Sequence, residues 1–437
     1  MSSMVACLSR QFAVLHNALK FDALYMLATL LSSRNNLFHE ALLDLVMENW
    51  AAYIRVGVME ILQNRIVCGK KLQALLLVDS IMYMFGESWL LEDKELDDVR
   101  ATLPVHKFLL LVLESARVEV AVFLNELAFL KYESSKSSST TESIISKQHN
   151  LGLLFSLMEK IIKLISSSCT VDGTLISEEV AAQMISGINE TIILVLDFLQ
   201  DAKDHCCNKG DDLLAAVRIV GSYLAENPFA CKEKVRDLLQ YMLSVEGEDE
   251  SSPFYSICFL LPMLCQITME VDGRQSLASF GGHECVIECL VKLLRESRTS
   301  VEHSGIIFLA CDTILNILLN RKELEGQIEG SQFVRLLQEL CFWAESSSDP
   351  SVIMMAATIC SVVFDLTSEE NLLNHPEFHH GALESLTQLI VRSLSTGLVD
   401  DDANGHHDLH VIVRAGYNQW AHWYPFVKDA VERSRNG

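Results

Sequence analysis

The sequence predicts an all-α protein built as a helical-repeat solenoid, and three observations support this fold class. Apolar residues recur with a period near 3.6 through almost the whole chain, as they do on one face of a helix. Alternating apolar and polar patterns long enough for strands are absent from the sequence, and so are hairpin dipeptides between β-branched runs. The predicted helices also recur in pairs, at a spacing typical of helical repeats.

Residues 1–132 are predicted to form N-terminal helical repeats. Residues 37–50 carry an apolar stripe on one helix face, and residues 70–85 carry another that ends at Gly86, a residue typical of helix ends. The next segment, residues 133–147 (ESSKSSSTTESIISK), predicts a flexible surface loop because it is rich in Ser and Thr. C-terminal helical repeats are then predicted over 148–437.

Four pairs of helices are predicted in this C-terminal part, spaced by roughly 45 residues, as in HEAT or armadillo units. One pair cannot bury its apolar face alone, but stacked neighbours can. The predicted pairs are 213–224 with 233–245, 254–270 with 284–296, 306–321 with 333–345, and 352–366 with 383–394.

The prolines agree with helices. At 227–228, 252–253 and 349–350 a proline follows Asn, Ser or Asp, which predicts a polar N-cap and proline in the first helical position. Pro262 differs, because it lies inside the apolar run FLLPMLCQI. There it is predicted to kink a helix or to split it in two.

Charge restricts the class of partner. The 437 residues include 58 acidic and 34 basic side chains, so the net charge is −24. Nucleic-acid binding requires a basic face that neutralises phosphates, and no basic run supplies one. The expected partners are therefore proteins, with basic or apolar peptide segments, and not nucleic acids.

Cysteine usage and hydropathy predict a soluble protein of the cytosol or the nucleus, and the cytoplasm is the compartment we expect. Thirteen cysteines are scattered, most of them singly inside apolar helical patterns, which indicates free buried thiols in a reducing compartment. The first residues lack the apolar core and cleavage site of a signal peptide. The longest apolar run, 257–269, is shorter than the roughly 20 residues that span a bilayer, so no transmembrane segment is predicted.

Motifs of catalysis are missing from the sequence. It contains no phosphate-binding glycine loop and no nucleophile elbow. The His-Glu pairs at 39–40 and 283–284 lack the second histidine of a zinc-protease helix, because Leu43 and Ile287 stand in its place. No catalytic residue or cofactor is therefore predicted, and the chain is not expected to be an enzyme. The alternative is a hydrolase-type enzyme whose site is dispersed along the chain.

A metal site has two weak candidates, His205 with Cys206 and Cys207, and Cys285 with Cys289. Cys285 and Cys289 are one helical turn apart and lie near His283, but no second pair of ligands with matching spacing follows. The thiols are interpreted as buried or solvent-facing side chains, and no metal is predicted.

Partner binding has two candidate regions. Asp312, Asn316 and Asn320 form a polar ladder at every fourth position of an apolar helix. Such side chains can clamp an extended peptide, although an ordinary solvated helix face has the same pattern. The aromatic residues of 420–426 (WAHWYPF) either anchor a partner or seal the last repeat as a C-terminal cap.

Three segments resemble the neurochondrin family: WAAYIRVGVMEILQNR (50–65) with the later Gly86, Trp89 and Leu90; LLAAVRIVGSYLAE (213–226); and residues 259–290, with a Leu-Leu-Pro-x-Leu-Cys core and Arg274. The resemblance covers most of the chain and involves helix-packing motifs. It implies an armadillo-like, leucine-rich cytoplasmic protein without known catalytic activity. Animal members are described as neuronal adaptors that bind cytoplasmic receptor tails. The resemblance further implies that the chain lacks the first repeats of the family pattern.

The sequence and the resemblance together predict a cytoplasmic adaptor or scaffold. Its partners would bind the curved surface of the solenoid, and Asp312, Asn316 and Asn320 are the predicted contact residues.

Overall fold

The described structure is entirely helical, which confirms the predicted all-α fold class. The computed structural model describes residues 2–32, 36–43, 49–64, 68–92, 96, 104–133, 139–169, 176–250, 252–297, 304–324, 326, 328–396 and 407–436. No β-strand occurs within these ranges. An isolated β-bridge joins Lys209 and Glu246.

The chain divides into two compact units. Unit 1 comprises Met1–Leu238 and Val245–Ser251, and unit 2 comprises Leu239–Ser244 and Ser252–Gly437. The segment 133–147, which the sequence suggested as the separation between two sets of repeats, lies inside unit 1.

Unit 1 is built from two layers of stacked helices. In the first layer α1 packs on α4, α4 on α6 and α6 on α8, and in the second layer α2, α5, α7 and α9 follow one another in the same way. Each helix of one layer also contacts its neighbour in the other, so every repeat covers the apolar face of the next. The helices are α1 (Ser2–Val14), α2 (Leu19–Leu31), α3 (Asn36–Leu43), α4 (Trp50–Gln63), α5 (Cys68–Phe85), α6 (Val105–Ala128), α7 (Ser139–Cys169), α8 (Glu178–Asp204) and α9 (Asp211–Glu226).

The prediction of a loop over 133–147 is wrong from Ser139 onward, because α7 begins there. Lys147 Nζ pairs with the Glu126 carboxylate on α6, and Gln148 Nε2 donates to Asp212 at 2.9 Å. These contacts stabilise a helical turn in a segment whose composition predicts a solvent-exposed loop. Residues 134–138 of the predicted loop lie outside the described residues.

Unit 2 repeats the two-layer arrangement. One layer runs through α11, α14, α16 and α19, and the other runs through α13, α15, α18 and α20. Helix α10 (Lys232–Met242) crosses the division between the units. The helices are α11 (Phe254–Ile267), α12 (Val271–Ser279), α13 (Gly282–Glu296), α14 (Ser304–Leu319), α15 (Val334–Glu345), α16 (Pro350–Phe364), α17 (Glu369–Leu373), α18 (His380–Thr396), α19 (His407–Trp420) and α20 (Pro425–Asn436).

The core of unit 2 is centred on α16. Every residue from Val352 to Phe364 is buried, because the helix contacts α14, α15, α18 and α19. Phe364 stacks on Tyr424 with ring centroids 4.4 Å apart and meets Trp420 edge to face at 4.9 Å. Trp420 and Tyr424 therefore close the core at the last repeat, whereas Trp423 is half exposed.

The prolines follow the predictions in part. Asp349 caps α16 by accepting a hydrogen bond from the backbone N–H of Ser351, with Pro350 in the first turn, as predicted. Pro253 is itself the N-cap of α11, and residues 227–231 form a turn before α10. Pro262 does not split its helix, since α11 continues through it.

Helix α8 is long and apolar enough to cross a membrane by length and composition alone. Half of its most apolar 18-residue window is buried, and its buried face includes Ile188, Ile192 and Leu196. The helix packs against α6 and α9 within unit 1. A core helix has the same length and composition, so this finding is weak evidence for a membrane span.

Candidate functional site

The polar ladder predicted on α14 is half-buried, at the contact between α14 and α11. Asn316 Nδ2 donates to the backbone oxygen of Cys265 and to Thr268 Oγ1, both at 3.2 Å. Asn320 Nδ2 donates to the backbone oxygen of Asn316 at 2.8 Å. Both amides therefore donate hydrogen bonds to other groups of the chain. The peptide clamp predicted from the sequence would need these same donors, which are already engaged.

Asn316 donates its hydrogen bonds to the C-terminal end of α11. The last carbonyls of a helix have no partner within that helix and need such donors. Thr268 Oγ1 donates to the Leu264 carbonyl at 2.7 Å. Arg274, which is buried, donates to the carbonyls of Thr268 and Met269 at 2.9 and 2.8 Å. The Nη2 atom of Arg274 pairs with the Glu323 carboxylate at 2.6 Å. These side chains fix the position of α11 against α14.

Asp312 differs from the two asparagines of the ladder. Its carboxylate makes no hydrogen bond and no ion pair with the side chains that the structure describes, and burial raises its pKa above the ordinary value. The nearby Cys265 thiol has a pKa raised to about 11, mainly by burial and also by the charge of Asp312. The ladder therefore contains one half-buried carboxylate without a neutralising partner among the described residues.

The other segments with family resemblance are also organised by arginine contacts between helices. Arg55 Nη1 donates to the carbonyls of Trp89 and Leu90, both at 3.0 Å, and the guanidinium lies 4.3 Å from the Phe108 ring centroid. These contacts hold neighbouring helical segments together, so the role of these segments is to pack the helices.

Arg218, in the segment 213–226, forms two hydrogen bonds with Glu159 of α7 at 2.8 and 2.6 Å. Sequence reasoning missed the roles of these arginines. The available signal was a single basic residue inside each otherwise apolar helix, at positions 55 and 218.

The histidine and the two cysteines in the first half of α13 differ in their exposure to solvent. Cys285 is exposed, whereas Cys289 is buried with its Sγ 3.7 Å from that of Cys258. His283 is buried, and this burial lowers its pKa against the opposing effect of the Glu284 charge. Among the side chains that the structure describes, no three His, Cys, Asp or Glu groups converge as metal ligands, and the side chain of His39 is not one of those described.

A cleft of about 540 Å³ lies across α2, α5 and α7 in unit 1. Its lining includes Thr29, Tyr83, His149 and Asn150. Asp79, which also lines it, is paired with Lys160 at 2.6 Å. Such a surface offers neutral hydrogen-bonding groups and an aromatic ring to a bound chain.

Comparison with known proteins identifies the family. The neurochondrin family model matches residues 1–342, most of the chain, including the arginine contacts and the polar ladder. The chain belongs to the neurochondrin family. Neurochondrin of Xenopus laevis is 24% identical over 383 residues, covering 78% of this chain and 49% of the relative. The chain therefore spans about half the length of that curated neurochondrin, and the resemblance inferred from the sequence is confirmed.

Proposed function

We propose that the protein is a non-catalytic cytoplasmic adaptor that binds protein partners along the curved surface of its helical repeats. The observation that carries this proposal is the two-layer stacking of helices in each unit. Stacked repeats give long continuous surfaces on which many weak contacts with a partner add together. Membership of the neurochondrin family supports the proposal.

The partners we propose have basic segments, such as those in cytoplasmic receptor tails. The net charge of −24 speeds encounter with basic chains and repels nucleic acids. Eleven cysteines within the described residues are free thiols. Localisation of the tagged chain in cells, by imaging and by fractionation, tests the cytoplasmic assignment.

The function is tested with the purified full chain. Partners captured from a cell extract are expressed separately, and binding of each to the chain is measured by calorimetry at two salt concentrations. We expect a saturable binary complex that weakens as salt rises, because exposed charges are screened. If no captured protein binds directly, or if the chain turns over a captured protein, the adaptor proposal is wrong.

A further inference from the structure

We propose that the surface where α11 meets α14 holds an arginine or lysine side chain of a bound peptide, with the Asp312 carboxylate as its counter-charge. This inference rests on the proposed adaptor function and identifies one surface and one partner chemistry for it. The surface is called the α11–α14 seam and is formed by Tyr255 and Pro262 on α11, by Met269 in the turn after α11, and by Asp312 and Leu319 on α14.

The seam lies along two helices that pack side by side. Positions 255 and 262 are seven residues apart, so they share one face of α11, and Met269 lies in the turn that follows this helix. Asp312 and Leu319 share a face of α14 for the same reason. The bonds from Asn316 to the end of α11 hold the two helices side by side, and Asp312 lies one turn before Asn316 on α14.

Large apolar side chains of the seam are exposed to solvent. The exposed fraction is 52% for Tyr255, 64% for Met269 and 45% for Leu319. These side chains provide exposed apolar area along the same two helical segments as the Asp312 carboxylate, a combination that fits a basic residue flanked by apolar ones.

Charge complementarity identifies the occupant as basic. Asp312 is half-buried and has no cation beside it among the described residues, so its charged form lacks compensation in the folded chain. Two arginines that follow the helices of the seam are already paired, Arg274 on α12 with Glu323 and Arg321 with Asp365. A guanidinium or ammonium from a peptide would supply the missing counter-charge through a charge-assisted hydrogen bond.

The same contacts separate the roles within the ladder. Asn316 supports the seam from inside through its bonds to α11, and Asn320 bonds to the backbone of its own helix. Asp312 is therefore the ladder residue whose polar group is left for a ligand. A variant of Asp312 changes binding without removing a contact that holds the helices together.

The test is selection of a randomised decapeptide library displayed on phage against the full wild-type chain and the Asp312→Asn and Asp312→Lys variants. The matched control is Asp249→Asn, which makes the same chemical change in an exposed acidic turn of unit 1. Circular dichroism and thermal melting of each variant verify folding before selection.

We expect wild type and Asp249→Asn to enrich peptides with a basic residue next to apolar residues. Asp312→Asn is expected to bind a synthetic peptide of this kind about tenfold more weakly, the contribution of one charge-assisted hydrogen bond. Replacing the peptide's arginine with citrulline, which is neutral and similar in shape, is expected to abolish the difference between wild type and Asp312→Asn. Asp312→Lys is expected to lose the enrichment of basic residues.

Equal enrichment of basic residues by wild type and both Asp312 variants would overturn the seam proposal, and so would a lack of basic enrichment on wild type. Captured partners that bind wild type and Asp312→Asn equally would overturn the seam proposal but leave the adaptor function intact. An absence of any direct protein partner would instead overturn the adaptor function itself.

Discussion

The ion pair between Lys131 and Asp212 is expected to be a principal stabilising contact of unit 1. Asp212 is buried in the first turn of α9, and Lys131, which follows α6, approaches its carboxylate at 2.7 Å. Gln148 of α7 donates to the same carboxylate at 2.9 Å. The carboxylate therefore connects three helical segments, and Asp212→Asn is expected to lower the free energy of unfolding by about 3–5 kcal/mol.

The magnitude follows from the burial of the pair. Asparagine keeps an accepting oxygen but removes the negative charge, and breaking a buried ion pair on one side costs about 3–5 kcal/mol. The Lys131 side chain is only 18% exposed, so Asp212→Asn leaves its ammonium with little water and no counter-charge. Replacing both partners, as in Lys131→Met with Asp212→Leu, removes the uncompensated charge and is expected to cost less than Asp212→Asn alone.

The assay is urea unfolding followed by far-ultraviolet circular dichroism, with hydrogen exchange in α9 as the local measurement because two units need not unfold together. The matched control is Asp197→Asn, which removes the pair between Lys234 and Asp197, whose side chains are 45% and 56% exposed. That exposed pair is expected to contribute less than about 1 kcal/mol. A cost for Asp212→Asn no larger than for Asp197→Asn, or a double variant as unstable as the single one, would refute the reasoning.

Four further predictions concern unit 2. Leu264→Ala is expected to cost about 2–5 kcal/mol in urea unfolding, because Leu264 is fully buried, and a change near zero would contradict its place in the core. Asn316→Ala is expected to cost about 1–3 kcal/mol through its two lost hydrogen bonds to α11, and an unchanged midpoint would show that they contribute nothing. Asp312→Asn is expected to leave the thermal midpoint at pH 7 unchanged or higher, because burial raises the pKa of this carboxyl, and a clear fall would reveal a stabilising partner. The pKa of His283 is lower in the folded chain than in the unfolded chain, so stability is expected to fall as pH drops through about 6.5. His283→Gln is expected to reduce this pH dependence, the exposed His149→Gln is the control, and identical pH profiles for wild type and His283→Gln would disprove the assignment.

The helices of the C-terminal half were predictable because their signal is local. The predicted 213–224, 306–321 and 333–345 compare with the observed Asp211–Glu226, Ser304–Leu319 and Val334–Glu345. A 3.6-residue period records which side of each helix is buried, and neighbouring helices only complete that burial. The family was also recognisable, because its motifs are helix-packing segments that are visible in the linear sequence.

Composition failed where distant contacts stabilise a helix. The Ser/Thr-rich segment has a solvated composition, yet residues from Ser139 onward are helical. Lys147 of this segment pairs with Glu126 on α6, and Gln148, the residue after the segment, donates to Asp212 on α9. Local propensity is a weak prior that such tertiary contacts override.

For the candidate site, the sequence by itself determined that Asp312, Asn316 and Asn320 share one side of a helix. Residues four positions apart are separated by about one helical turn and therefore lie on the same side. Only the tertiary structure decided what lies opposite that side. The end of α11 accepts hydrogen bonds from Asn316, whereas Asp312 has no counter-charge among the described residues. The periodicity of one helix contains no information about its neighbour, so the different roles of these two polar residues follow from the packing of α11 against α14.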